Sequence, residues 1–226
     1  MATTLESLSA ADSAAYEKRL SVYGLDASAI IQPDLIVPAR TTMTLSGSGT
    51  QSFVRPRLLS TSDLDQLKTW IGIPDKLFET TELDRSRIAL PTSVPPVAPA
   101  ELAARRSLAP TTVEAGRLVL AGTAAEEARA ALPAEQLANL RTAAMAYIFG
   151  DSQLVANYKI AVEQFFPHFQ IIFWPFLTIT VNPGSILTIG PGQNVLFAWK
   201  IIIHQGGLVY APFGNLKVES VILQKV

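Results

Sequence analysis

The sequence predicts an α+β protein, with a helical and extended N-terminal part followed by a C-terminal β-rich slab. Three observations carry this. Between Phe165 and Gly214 the only formally charged side chain is Lys200, and ten of the eighteen aromatic residues fall within those fifty positions. Pro183-Gly184, Pro191-Gly192 and Gly206-Gly207 cut that stretch into runs of Ile, Val, Leu, Phe and Thr, the composition of strands separated by tight turns. Upstream, apolar residues recur at helical spacing behind residues suited to capping a helix N-terminus.

Taken in order, Ser9 to Tyr23 reads as a short amphipathic helix. Ser9 caps it, Tyr16, Leu20 and Tyr23 share a face, and Gly24 stands where a C-terminal glycine belongs. Ala29 to Leu59 turns extended, with Leu35 to Val37 and Thr42 to Leu45 as strand segments and residues 46–49 as a flexible Ser/Gly turn. Thr61 to Gly72 returns to helix, with Ser62 as cap, Asp63 and Asp65 in the first turn, Leu64, Leu67 and Ile71 on one face, and Pro74 as the stop. One more short helix is expected within 75–87.

Residues 91–99 hold four prolines and read as an extended, semi-rigid connector. They set the predicted division: a mixed helix and strand part over 1–90, the connector over 91–100, a helical segment over 101–166 and the β-rich part over 167–226. Arg117 to Leu120 reads as a short strand. Thr123 and Glu126 form a capping-box pattern that opens an Ala-rich helix to Leu132. A second helix runs from Ala134 to Phe149 behind Pro133, and a third is capped by Asp151 or Ser152 with Leu154, Tyr158, Val162 and Phe165 in a stripe.

Inside the slab, Leu177 to Val181 and Ile186 to Ile189 flank an Asn-Pro-Gly-Ser turn. Val195 to Ile203 is apolar at consecutive positions apart from Lys200, so it must be covered on both faces. Leu208 to Tyr210 and Leu216 to Leu223 follow. The fragments 183–190 and 191–198 both open with Pro-Gly and reach an apolar strand a few residues later. With the later glycine turns, this text resembles the rungs of single-chain β-solenoids of the adhesin or pectate-lyase kind, over the last fifty residues. A short solenoid or a compact β-sandwich would both use such punctuation.

Composition narrows the function classes. The chain has no cysteine, which removes disulfides, thiol catalysis and Cys-based metal sites, and its net charge of −1 offers no basic field for nucleic acid. Charged residues make up only 16%, against about a quarter in an average chain, a balance that favours association over mutual repulsion. The first residues lack the basic and apolar regions of a secretory leader, and no run of about twenty apolar residues suits a spanning helix, so a cytoplasmic location or leaderless export is expected.

Catalytic equipment is not recognisable. His168 and His204 are the only histidines and stand at no metal-ligand spacing. The Ser/Gly turn at 46–49 lacks the pattern of a nucleophile elbow or a phosphate loop. Asp63 with Asp65, and Glu126 with Glu127, lie in first helical turns, where the helix dipole accounts for them. The expectation is a non-enzymatic structural or interaction protein without cofactor or metal, which self-assembles as a filament, shell or surface layer through its apolar C-terminal region.

Large aromatics dominate desolvated interfaces, so the expected anchors are Phe173, Trp174, Phe197, Trp199 and Phe213. Each buried aromatic removes roughly 150–250 Å² from water, worth about 4–6 kcal/mol before entropy costs. Packing within the chain would satisfy them equally. Two alternatives remain. One is a carbohydrate-binding module with Trp174 or Trp199 beside Gln193 and Asn194 as a stacking face. The other is a membrane-active protein that uses an amphipathic hairpin from Leu177 to Ile189.

Overall fold

A computed structural model describes residues 5–27, 34–46, 56–80, 88–96, 112–114, 117–119, 122–192, 194–212 and 216–226. The protein is mixed α and β, and its two larger sheets are parallel. It divides into two compact units, one formed by residues 1–59 with 170–226 and the other by 60–169. The division therefore falls outside the proline-rich 91–100. Residues 97–100 lie outside the described set, and 91–96 belong to the second unit. The buried Asn139 explains that placement: its Oδ1 accepts from the Thr92 amide (2.8 Å) and its Nδ2 donates to Ser93 Oγ (2.9 Å). The connector is tied to a helix by side-chain hydrogen bonds that no composition argument weighs.

In the first unit, helix α1 (Ala10–Ser21) has the expected Ser9 cap, whose side chain accepts from the Asp12 amide, and buries Tyr16 and Leu20. Tyr23 is buried just beyond it, and Gly24 has φ +67°. The strands of this unit are β1 (Leu35–Val37), β2 (Thr42–Leu45), β6 (Phe169–Val181), β7 (Ile186–Ile189), β8 (Val195–Ile203), β9 (Leu208–Tyr210) and β10 (Lys217–Lys225). One sheet has the order β1-β6-β8-β10, with β3 (Arg57–Thr61) also paired to β6, and a second has the order β2-β7-β9.

Register is constant. Phe173 pairs with Val195 and Val195 with Lys217, while Ile186 pairs with Leu208, each partner lying 22 positions further along. Pairing in the first sheet is interrupted at Leu177, Trp199 and Val221, again 22 apart. The turns repeat too: Arg40, Gly184 and Gly206 follow β1, β6 and β8 respectively, all in the left-handed region at φ 58°, 65° and 72°. Glycine takes that conformation freely, and only the first of the three turns carries a side chain there.

Alternation decides what each side of the first sheet touches. Trp174, Phe176, Ile179, Leu196, Ala198 and Ile201 join Leu187, Ile189 and Leu45 of the second sheet in one buried cluster. Phe173 and Phe197 point the other way and meet α1. The Tyr23 ring lies 4.7 Å from Phe173 and the Tyr16 ring 5.2 Å from Phe197, with Tyr16 Oη donating to the Phe176 carbonyl. The cover for the aromatic face of β8 is thus the N-terminal helix of its own chain.

Leu177 to Ile189 is not a hairpin. β6 and β7 belong to different sheets, and the Asn-Pro-Gly-Ser turn carries the chain from one to the other. Neither strand takes its ladder from the other; both pair with strands 22 residues away or with the N-terminal strands.

The second unit holds α2 (Leu64–Ile71), α3 (Lys76–Glu79), an antiparallel pair β4 (Thr112–Glu114) and β5 (Arg117–Val119), α4 (Gly122–Ala130), α5 (Ala134–Phe149) and α6 (Lys159–Phe165). Helix α2 starts one residue later than the sequence suggests. Asp63 is its cap rather than Ser62, accepting from the Asp65 and Gln66 amides, and Trp70 rather than Ile71 completes the buried face. The third predicted helix is split. Residues 152–158 form a 3-10 stretch with a non-helical Val155, followed by α6, and this rotation buries Val155 and exposes Leu154.

Candidate functional site

The constant register makes equivalent positions comparable, and the comparison singles out β10. Leu196 and Ile201 on β8 are fully buried, at 0% and 1% exposure; their partners one step on, Val218 and Leu223, are 48% and 69% exposed, and Val226 beyond them is 58% exposed. At the opposite side of the same core, Leu35, Val37 and Leu45 are buried. β10 ends the first sheet and β9 the second, so each has one edge without a neighbouring strand among the described residues.

The first half of β10 is held from α1. Arg19 donates to the Ser220 carbonyl, and Tyr23 Oη donates to Glu219 Oε2 at 2.7 Å, with Lys217 Nζ 3.3 Å from the same carboxylate oxygen. Burial, then the hydrogen bond to Glu219, pushes the Tyr23 phenol well above its ordinary pKa, so it remains a donor. Beyond Ser220 the strand turns increasingly to water: Leu223, Gln224, Lys225 and Val226 are all exposed. The surface there is a strand edge with no neighbouring strand among the described residues, with apolar side chains beside it.

The expected anchors lie elsewhere. Phe173, Trp174 and Phe197 are fully buried inside the first unit, Trp199 is half-buried at the pairing interruption, and Phe213 lies outside the described residues, as does Gln193. A fully buried Trp174 cannot offer its face to a sugar. The residues of the open end carried no aromatic signal; the step of 22 from Leu196 to Val218 and from Ile201 to Leu223, once recognised, is what marks them.

The second unit concentrates the polar groups. Lys68 Nζ donates to the carbonyls of Tyr147 and Gly150, each at 2.7 Å, and pairs with Asp75 at 2.8 Å. Asp65 accepts from both Tyr147 Oη and Lys159 Nζ. These contacts tie α2 to α5, to α6 and to the residues that flank α3 and α5. Among the described residues no group of three His, Cys, Asp or Glu side chains could hold a metal ion, and no helix is long and apolar enough to cross a membrane.

This network sets an acid limit. Partial burial opposes ionisation of Asp65 and Asp75, but hydrogen bonds from Lys159 and Tyr147 to the first, and from Lys68 and Ser152 to the second, outweigh it and hold both pKa values below the ordinary carboxylate. A depressed folded-state pKa contributes stability above the unfolded value of about 3.9 and loses it as pH falls through the folded one. The urea midpoint is therefore expected to drop from about pH 4 downward. The Asp65→Asn, Asp75→Asn double variant should start lower and show a flatter decline; an equally steep one would place the acid sensitivity elsewhere.

No family model, curated protein or solved structure matches this chain.

Proposed function

We propose that the chain is a non-enzymatic structural protein that associates with itself, and that its first unit is a short β-solenoid whose β10 strand supplies the contact. The observation that carries this is the contrast between Leu196 and Ile201, buried, and Val218 and Leu223, open at the equivalent positions of the next strand. Parallel pairing in both sheets and the unvarying step of 22 favour stacked turns over a sandwich, whose sheets are antiparallel. Stacked-turn proteins need a polar cap at each end to remain dispersed. An apolar turn that no described strand covers, with an open edge, invites pairing by another chain.

Light scattering behind a sizing column, at two concentrations, tests the reading. A mass above the 24.3 kDa of one chain that rises with concentration is expected. A 24.3 kDa species at both concentrations would remove self-association.

A further inference from the structure

We infer that the open β10 end is occupied by the same end of a second copy, so that the assembly closes as a two-fold dimer. This rests on the self-association just proposed and adds partner, symmetry and contact strand.

The two ends of the first unit's core differ. The inward positions of β1 and β2, Leu35, Val37 and Leu45, are already buried, whereas those of β10, Val218 and Leu223, are open. A head-to-tail stack would set an open end against a covered one and leave another open end at the growing tip. Like against like covers both open ends at once, and a two-fold contact needs one self-complementary patch.

β10 is suited to that role. Among the described residues no strand pairs with its outer edge, and a two-fold relating two such edges makes the strands antiparallel, so backbone donors of one copy face acceptors of the other. The strand carries Lys217, Glu219 and Lys225, and Lys217 Nζ already lies 3.3 Å from the Glu219 carboxylate within the chain. Arg19 holds the Ser220 carbonyl, one acceptor of that strand.

Size is adequate. A nine-residue strand is about 30 Å long and two packed sheets with their side chains are about 20 Å deep, so the end covers roughly 600 Å² per copy. The pair then removes about 1,200 Å² from water, the lower bound for specific, stable interfaces.

The cysteine-free sequence makes the test direct. Ser220→Cys, Ile222→Cys and Gln224→Cys are introduced one at a time and oxidised, and solution mass is measured alongside. At least one variant is expected to give a covalent dimer of twice the 24.3 kDa chain mass, because only a two-fold at β10 brings a residue of that strand next to its own copy. Leu223→Asp, at a side chain exposed within one chain, is expected to weaken association about tenfold or more while leaving the unfolding midpoint of the dilute protein unchanged.

A monomer at every concentration would overturn both this inference and the self-association beneath it. An open series of larger species would leave self-association standing and reject the two-fold. A dimer that Leu223→Asp does not weaken and in which none of the three cysteines cross-links would reject β10 as the contact.

Discussion

Trp174→Ala is expected to lower the unfolding free energy by about 3–5 kcal/mol, the cost of emptying a well-packed aromatic site. The ring is fully buried, lies parallel to Phe176 at a centroid distance of 6.3 Å, and stands beside Leu196 of the paired strand, in the cluster shared by both sheets. Backbone ladders pin the paired strands and limit their collapse into the gap. Set against a typical total of about 5–15 kcal/mol, the loss is a third or more of the protein's stability. Trp199→Ala is the internal control: that side chain is half-buried where the pairing breaks, so its removal should cost distinctly less. Urea unfolding followed by far-UV circular dichroism reads both variants. Equal losses would mean that Trp174 does not occupy the core position assigned to it.

How far the sequence could be read depends on which residues carry the signal. Helices marked by caps and periodic stripes were legible: the α1 face of Tyr16, Leu20 and Tyr23 and the span of α5 are as the spacing predicts. Strands bounded by glycine and proline were equally plain, β7, β8 and β9 matching residue for residue. Their stacking was not. Comparing Pro183-Gly184 with Pro191-Gly192 sets side by side two turns on either side of β7, whereas the equivalent of Gly184 is Gly206, preceded by Gln205 rather than proline.

Backbone conformation, not side-chain identity, is what recurs at these positions, and a glycine alone is too common to reveal a period. Leu177, Trp199 and Val221 likewise mark one interruption with three unrelated side chains. Phe173, Trp174 and Phe197 lie in the core for a related reason. Aromatic content reports how much surface must be covered but not by what, and here α1 and the second sheet do the covering. Val218 and Leu223 are ordinary strand residues, and only their position one step beyond Leu196 and Ile201 leaves them open.

In the second unit the largest single loss is expected at Glu163, a buried carboxylate that the sequence hides among ordinary helical residues. Four N–H groups at a helix start lack partners inside the helix. At α2 the Asp63 amide donates to Thr61 Oγ1, and the Asp65 and Gln66 amides donate to Asp63 Oδ1. The Leu64 amide goes to Glu163 Oε1 of α6, at 3.0 Å. Lys159 Nζ lies 3.7 Å from the same oxygen, and the carboxylate stands beside the positive end of the helix dipole.

Glu163→Ala leaves a buried donor without its acceptor and removes an ion-pair partner, for an expected cost of about 2–4 kcal/mol. Glu163→Gln retains an oxygen of the same reach and gives up only the charge, at about 1 kcal/mol. The ordering of the two urea midpoints is the decisive observation. Should glutamine cost as much as alanine, the charge and not the amide acceptor holds α2 to α6. Should neither shift the midpoint, the start of α2 is fastened by Asp63 alone.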